Sequence, residues 1–169
     1  KIKNFVSLLA DKEHVVIISH VNPDGDAIGS ATGMKKFLEA NGKGVQVVVP
    51  NKYPQFLDFL DPDGRIIAYK DDMERAEAVL LSADLTICMD FNSLKRIDDL
   101  GMLVERSKAP KILIDHHLQP EDSFDIIFSD PAASSTCEVA YYLIKGMREA
   151  DGSLSPVNLD SGISFYTGL

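Results

Sequence analysis

An α/β fold, with a mostly parallel sheet flanked by helices, is predicted by three observations. Short β-branched runs alternate with longer stretches of helical spacing along the chain, the signature of repeated strand, helix, strand units. Four of those runs are almost continuously apolar, as strands covered on both faces must be. With 169 residues, 45% of them apolar, the chain has the material for one core of ordinary domain size.

The elements follow in order. HVVIIS (14–19) reads as the first strand and DAIGSATGMKKFLEA (26–40) as the helix after it. GVQVVV (44–49) is the second strand, RIIAY (65–69) a weaker one, and DDMERAEAVLLSA (71–83) a helix. DLTICMD (84–90) and KILID (111–115) are strands of the buried kind, and FDIIFS (124–129) is a weaker candidate. SSTCEVAYYLIKGMREA (134–150) is a helix that opens with Ser135 and Glu138 at capping-box spacing. DGSLSP (151–156) is a turn, with Ser155 and Pro156 placed to start a further helix. No repeat, low-complexity tract or linker interrupts residues 1–169, which read as one domain. The chain does not open on Met and stops within the apolar segment ISFYTGL, so continuation beyond Leu169 is expected.

A net charge of −9 argues against a broad basic face for duplex nucleic acid, which needs Lys and Arg to neutralise many phosphates. Cys88 and Cys137 form no CxxC pair and read as small core residues of a reduced, cytoplasmic protein. No apolar run approaches the roughly 18 residues of a membrane span, and no membrane contact is expected.

In open α/β sheets, sites form beyond the carboxyl ends of the strands. Three of the predicted strands end in residues of metal-ligand type: His20, Asp24 and Asp26 after the first, Asp90 after DLTICM, and Asp115, His116 and His117 after KILI. Each has a bland reading by itself, since NPDG is a good turn and a lone histidine or aspartate often caps a strand or helix. Their convergence at three strand ends is what points to a site. His20, Asp24, Asp26, Asp90 and His116 make a mixed nitrogen and oxygen set suited to Mn²⁺ or Mg²⁺. Three carboxylates held close together repel one another, and divalent cations remove that conflict. Gly25, Gly29 and Gly33 recur on one helix face, and Gly29 and Ser30 lie near enough to the first turn to receive a phosphate. His14 reads as a plain strand start. An EF-hand register from Asn22 fails at Ala27 and Gly33, and no GxxxxGK[ST] motif is present.

HVNPDGDAIGS and IDHH resemble motifs one and three of the DHH-type phosphoesterase superfamily, and their spacing resembles its NrnA-like oligoribonuclease and phosphoadenosine phosphate phosphatase branch. The resemblance implies that His20, Asp24, Asp26, Asp90 and His116 bind two metal ions, with Asp90 bridging. It assigns His117 to the substrate phosphate and Asp115 to orienting a histidine. A further aspartate ligand and a smaller second domain are expected past Tyr166 to Leu169. The implied activity is Mn²⁺-dependent hydrolysis of short oligoribonucleotides or 3',5'-nucleotide bisphosphates by in-line attack of water. A cyclic-dinucleotide phosphodiesterase, a manganese pyrophosphatase and a non-catalytic nucleotide-binding scaffold are the alternatives. The expected partner is a short RNA or nucleotide, with a homodimer left open.

Overall fold

A computed structural model describes residues 1–156, so the helix expected from Pro156 onward lies outside the described residues. Six strands, β1 (His14–Ile18), β2 (Gly44–Val49), β3 (Ile67–Ala68), β4 (Leu85–Met89), β5 (Lys111–Asp115) and β6 (Ile126–Ser129), form one sheet in the order β3-β2-β1-β4-β5-β6. Every pair is parallel. Around them lie α1 (Ile2–Ala10), α2 (Gly25–Ala40), α3 (Met73–Ser82), α4 (Leu100–Arg106) and α5 (Thr136–Ala150).

Both faces of the sheet are covered, which explains why the strands read as continuous apolar runs instead of alternating ones. Val15 and Ile17 of β1 pack with Phe5, Ile28, Phe37 and Ile144 in the layer made by α1, α2 and α5. Val16 and Ile18 point the other way, into a core with Leu80 of α3 and Leu103 and Val104 of α4. The register sets Val47, Ile17, Ile87 and Ile112 side by side across four strands, all fully buried.

Two helices lie outside the elements read from the sequence. Helix α1 has no side-chain cap and only Phe5 and Leu9 buried. Helix α4 is seven residues long and depends on close approach: a Cβ at Gly101 would lie 2.8 Å from Leu94 O. Segments this short depend on tertiary packing, although Ile2, Phe5, Val6 and Leu9 of α1 do fall at helical spacing.

The expected capping box of α5 forms only in part. Ser135 Oγ accepts from Glu138 N (3.1 Å), but the Glu138 carboxylate accepts from Ser134 N and Oγ (both 2.8 Å), one residue further upstream. Ser134 offers both an N–H and a hydroxyl to that carboxylate, whereas the return bond in a full box uses the N-cap N–H alone.

The strand order runs outward from β1 to β2 and β3, then restarts at β4 on the other side of β1. Such a reversal opens a crevice between the two strands at their carboxyl ends. Here Ser19 Oγ donates to Met89 O (2.9 Å), joining β1 to β4 at the base of that crevice.

Candidate metal centre

The loops leaving the centre of the sheet contain left-handed residues that are not glycine: Asn22 (φ 52°) after β1, Asp90 (φ 66°) and Asp98 (φ 48°) after β4, and Gln119 (φ 56°) after β5. Asn and Asp tolerate this region because their short side chains bond locally, at a cost of about 1 kcal/mol each. The loop after β1 is further held by an exchange of bonds, with Asn22 N donating to Asn51 Oδ1 (2.8 Å) and Asn51 Nδ2 to Asn22 Oδ1 (3.0 Å). Asp24 then caps α2, accepting from Ala27 N (3.0 Å), and its side chain stays two-thirds exposed.

Two histidines aim their Nε2 atoms at carboxylates. His20 Nδ1 lies 2.8 Å from Val21 O, a carbonyl that only accepts, so Nδ1 carries the proton and Nε2 is the basic atom. That Nε2 lies 3.3 Å from Asp90 Oδ2 and 3.9 Å from Asp24 Oδ1. His116 repeats the pattern: Nδ1 faces Ala133 O (3.4 Å), and Nε2 is 3.7 Å from Asp26 Oδ2 and 3.8 Å from Asp90 Oδ1. Basic nitrogens facing carboxylate oxygens at such distances need a proton or a metal ion between them. A ring N–H donated to a backbone carbonyl is also what fixes the orientation of histidines that bind metal.

His117 is arranged differently. Its Nδ1 donates to Asp115 Oδ1 (2.7 Å), with Asp90 Oδ1 more distant at 3.9 Å, and no described residue engages its Nε2. Asp115 is fully buried, and its Oδ2 has no partner among the described residues.

Asp90 is the residue common to both groupings: with His20 and Asp24 on one side, and with His116 and His117 on the other, one ligand atom from each residue falls within 4.8 Å of the rest. Its carboxylate is buried, which by itself would raise its pKa. Bonds from His20 and from Thr136 Oγ1 (2.8 Å) outweigh burial and hold it below the usual range. Asp26 goes the other way. Burial, then the charge on Asp90, push it up to about 6, against the pull of Thr136 N and Cys137 N, which donate to its two oxygens at 2.8 Å each. For His20, burial lowers the pKa but the bond to Asp90 leads the effects that leave it raised. The donor set therefore fits divalent cations: oxygen and imidazole ligands, too much negative charge for its volume, and rings already oriented by their far nitrogens.

The carboxyl ends of β1, β4 and β5 thus bring together His20, Asp24, Asp26, Asp90, Asp115, His116 and His117. Gly29 and Ser30 are placed otherwise: both are buried in α2, and Ser30 Oγ donates back to Ala27 O (3.3 Å). Cys88 is buried in β4 with its thiol pushed up to about 12 by burial, and Cys137 is buried at the start of α5. His14 stands exposed at the start of β1. The sequence reading missed Thr136 and Cys137, whose N–H groups hold Asp26 across more than a hundred residues of chain. Their only local signal was a helix start, and nothing in it names the carboxylate that would use those donors.

Fold and site together define a doubly wound α/β domain with a carboxylate and histidine cluster at its topological switch point. The family model described as "DHH family, N-terminal domain" matches residues 14–162, and the chain belongs to that family. It is 41% identical to an exopolyphosphatase-related protein from Bacteroides fragilis, with a TM-score of 0.91 over 99% of this chain and 48% of that one. Among curated proteins it is similar to the cyclic-di-AMP phosphodiesterase GdpP of Bacillus subtilis, at 29% identity over 95% of this chain and 27% of that protein. It is also similar to the bifunctional oligoribonuclease and PAP phosphatase NrnA of Thermus thermophilus, at 32% identity over 77% of this chain and 36% of that protein. The chain thus spans less than half the length of each of these proteins. Among the described residues, no helix is long and apolar enough to cross a membrane.

Proposed function

We propose that this chain is the metal-binding catalytic domain of a phosphohydrolase that acts on short oligoribonucleotides or 3',5'-nucleotide bisphosphates. The observation that carries the reading is the shared position of Asp90 between two groups of ligands, with His20 and His116 presenting Nε2 to carboxylates on either side. Likeness to NrnA, whose name gives both activities, supports the substrate class. His20, Asp24 and Asp90 would hold one divalent cation, and Asp26, Asp90 and His116 the other, Mn²⁺ being favoured and Mg²⁺ able to substitute. Bound there, such cations supply Lewis acidity toward a phosphoryl oxygen and acidify water.

The chain's own groups do the rest. Asp26 and Asp90 are fixed by donors from the first turn of α5, so neither must reorganise when a phosphate arrives. His117, oriented by Asp115 through Nδ1, keeps Nε2 for a phosphoryl oxygen of the substrate. A second reading, a cyclic-dinucleotide phosphodiesterase, is favoured by the 95% coverage of this chain in its match to GdpP.

The test is hydrolysis by the full-length protein, with Mn²⁺ and with chelator. A short RNA oligomer, phosphoadenosine phosphate, pyrophosphate and cyclic di-AMP are compared side by side. Mn²⁺-dependent loss of either of the first two, without loss of the others, is the expected result. Preference for cyclic di-AMP would transfer the assignment to the second reading, and metal binding without turnover of any of the four would favour a scaffold.

A further inference from the structure

A second cavity on the same rim of the sheet is not used by the cluster. It is a cleft of about 480 Å³, open to solvent, beyond the carboxyl ends of β2 and β3, with Val49, Ile67 and Ala68 among the residues that line it. That volume falls within the range of small-molecule sites, which pair an apolar floor with a few placed polar groups.

Several of its charges are committed. Asp61 accepts from Arg65 N, Ile66 N and Tyr53 Oη, Asp72 caps α3 by accepting from Arg75 N, and Asp71 pairs with Lys52 (3.3 Å). Three polar side chains are not: among the described residues none hydrogen-bonds the Arg75 guanidinium, the Gln55 amide or the Asp58 carboxylate. Arg75 sits in the first turn of α3, where a cation opposes the helix dipole, so helix stability does not account for it. Gln55 and Asp58 belong to a 3-10 turn (Gln55–Leu60), whose three-residue period sets them in one row on the cavity while Leu57 and Leu60 form the buried row.

A forked donor, an amide that both donates and accepts, and a carboxylate acceptor over an apolar floor suit a flat, neutral body rich in both hydrogen-bond types. A bare phosphate would meet the repulsion of Asp58. Val49 on the cavity floor ends β2, two strands and roughly 10 Å in the plane of the sheet from β4, which leads into Asp90, so a nucleoside here could stay joined to a phosphorus at the cluster. The bond exchange between Asn22 and Asn51 ties the loop that supplies Lys52 and Tyr53 to the loop that carries Asp24, so the two sites keep a common frame.

We infer that the cavity between β2, β3 and the 3-10 turn is a nucleoside subsite. It would take the base and ribose joined to the phosphorus held at the cluster, which selects nucleotide esters over pyrophosphate. This rests on the reading of the cluster as a phosphohydrolase centre.

The test compares the full-length protein with Arg75→Ala and Gln55→Trp, the latter filling the cavity. The 5'-phosphorylated diadenylate pApA and bis(p-nitrophenyl) phosphate, which carries no ribose, serve as substrates with Mn²⁺. In both variants KM for pApA should rise about tenfold, with kcat and turnover of the simple ester within about twofold of the parent. An unchanged KM for pApA, or equal losses on both substrates, would overturn the inference. Adenosine titrated into metal-free protein provides a readout independent of turnover, and should shift the amide resonances of residues 55–60 and 75. If the parent protein hydrolyses neither substrate, the cluster reading fails, and the adenosine shifts alone decide the cavity: their presence upholds it and their absence overturns it.

Discussion

With Nδ1–H donated to Val21 O, the His20 ring can be basic only at Nε2, and that atom faces Asp90 and Asp24. A residue-level prediction follows for Asp24, which is exposed and linked to the fold chiefly as a helix cap. Asp24→Ala should lower stability by only about 1 kcal/mol while removing metal-dependent turnover; substantial retained activity in a folded variant would refute its role as a ligand. His117→Ala should lower kcat by about a hundredfold with little change in metal affinity measured by calorimetry. Loss of metal binding would instead make His117 a ligand. Acidity supplies a third check. Asp26, at about 6 in the folded chain, holds a proton that an unfolded chain releases near 4, so the metal-free protein should lose stability as pH rises through that window. A cation needs that carboxylate ionised and His20 neutral. Metal affinity should therefore climb between about pH 5 and 7, and a flat titration over that range would contradict the assigned ligands.

At the scale of elements, helix α5 serves as the back wall of the cluster. Its first two N–H groups go to Asp26, its third to Ser135 Oγ, and the Thr136 hydroxyl to Asp90. Thr136→Val keeps the shape and removes the hydroxyl, so it should cost about 1 to 3 kcal/mol in the metal-free protein and weaken metal binding. Thermal melts with and without Mn²⁺ would separate the two effects. Helix α4 offers a packing test: Gly101→Ala drives a Cβ against Leu94 O and should destabilise by about 1 to 3 kcal/mol, read by denaturant unfolding. The legibility of these elements varied for physical reasons. GVQVVV and KILID matched β2 and β5 to the residue because β-branched runs that bury their carboxyl halves stand out against the polar residues flanking them. Helix α4 was silent because it is short and leans on neighbours distant in sequence, whereas α1 carries Ile2, Phe5, Val6 and Leu9 at helical spacing and was legible though unread. In α5, the position of Ser135 was readable but the return reach of Glu138 was not, since Ser134 competes for it.

At the scale of the whole molecule, the switch point between β1 and β4 explains why one cluster can draw on residues from 20 to 117. The sheet is parallel throughout, so every strand delivers its carboxyl end to the same rim, and the order β3-β2-β1-β4-β5-β6 makes β1, β4 and β5 neighbours. The sequence by itself determined the α/β class, all six strands, two of them from weaker signals, and the residue types that make the site, because alternating periodicities and strand-end polar residues are local properties. Only the tertiary structure decided that Asp115 orients His117 and not His116, that Asp26 is clamped by α5, that Ser30 turns back into its own helix, and that a second cavity opens beside β3. Those are matters of which atoms meet across tens of residues, and a linear pattern holds no record of ring orientation or of who shares a carboxylate.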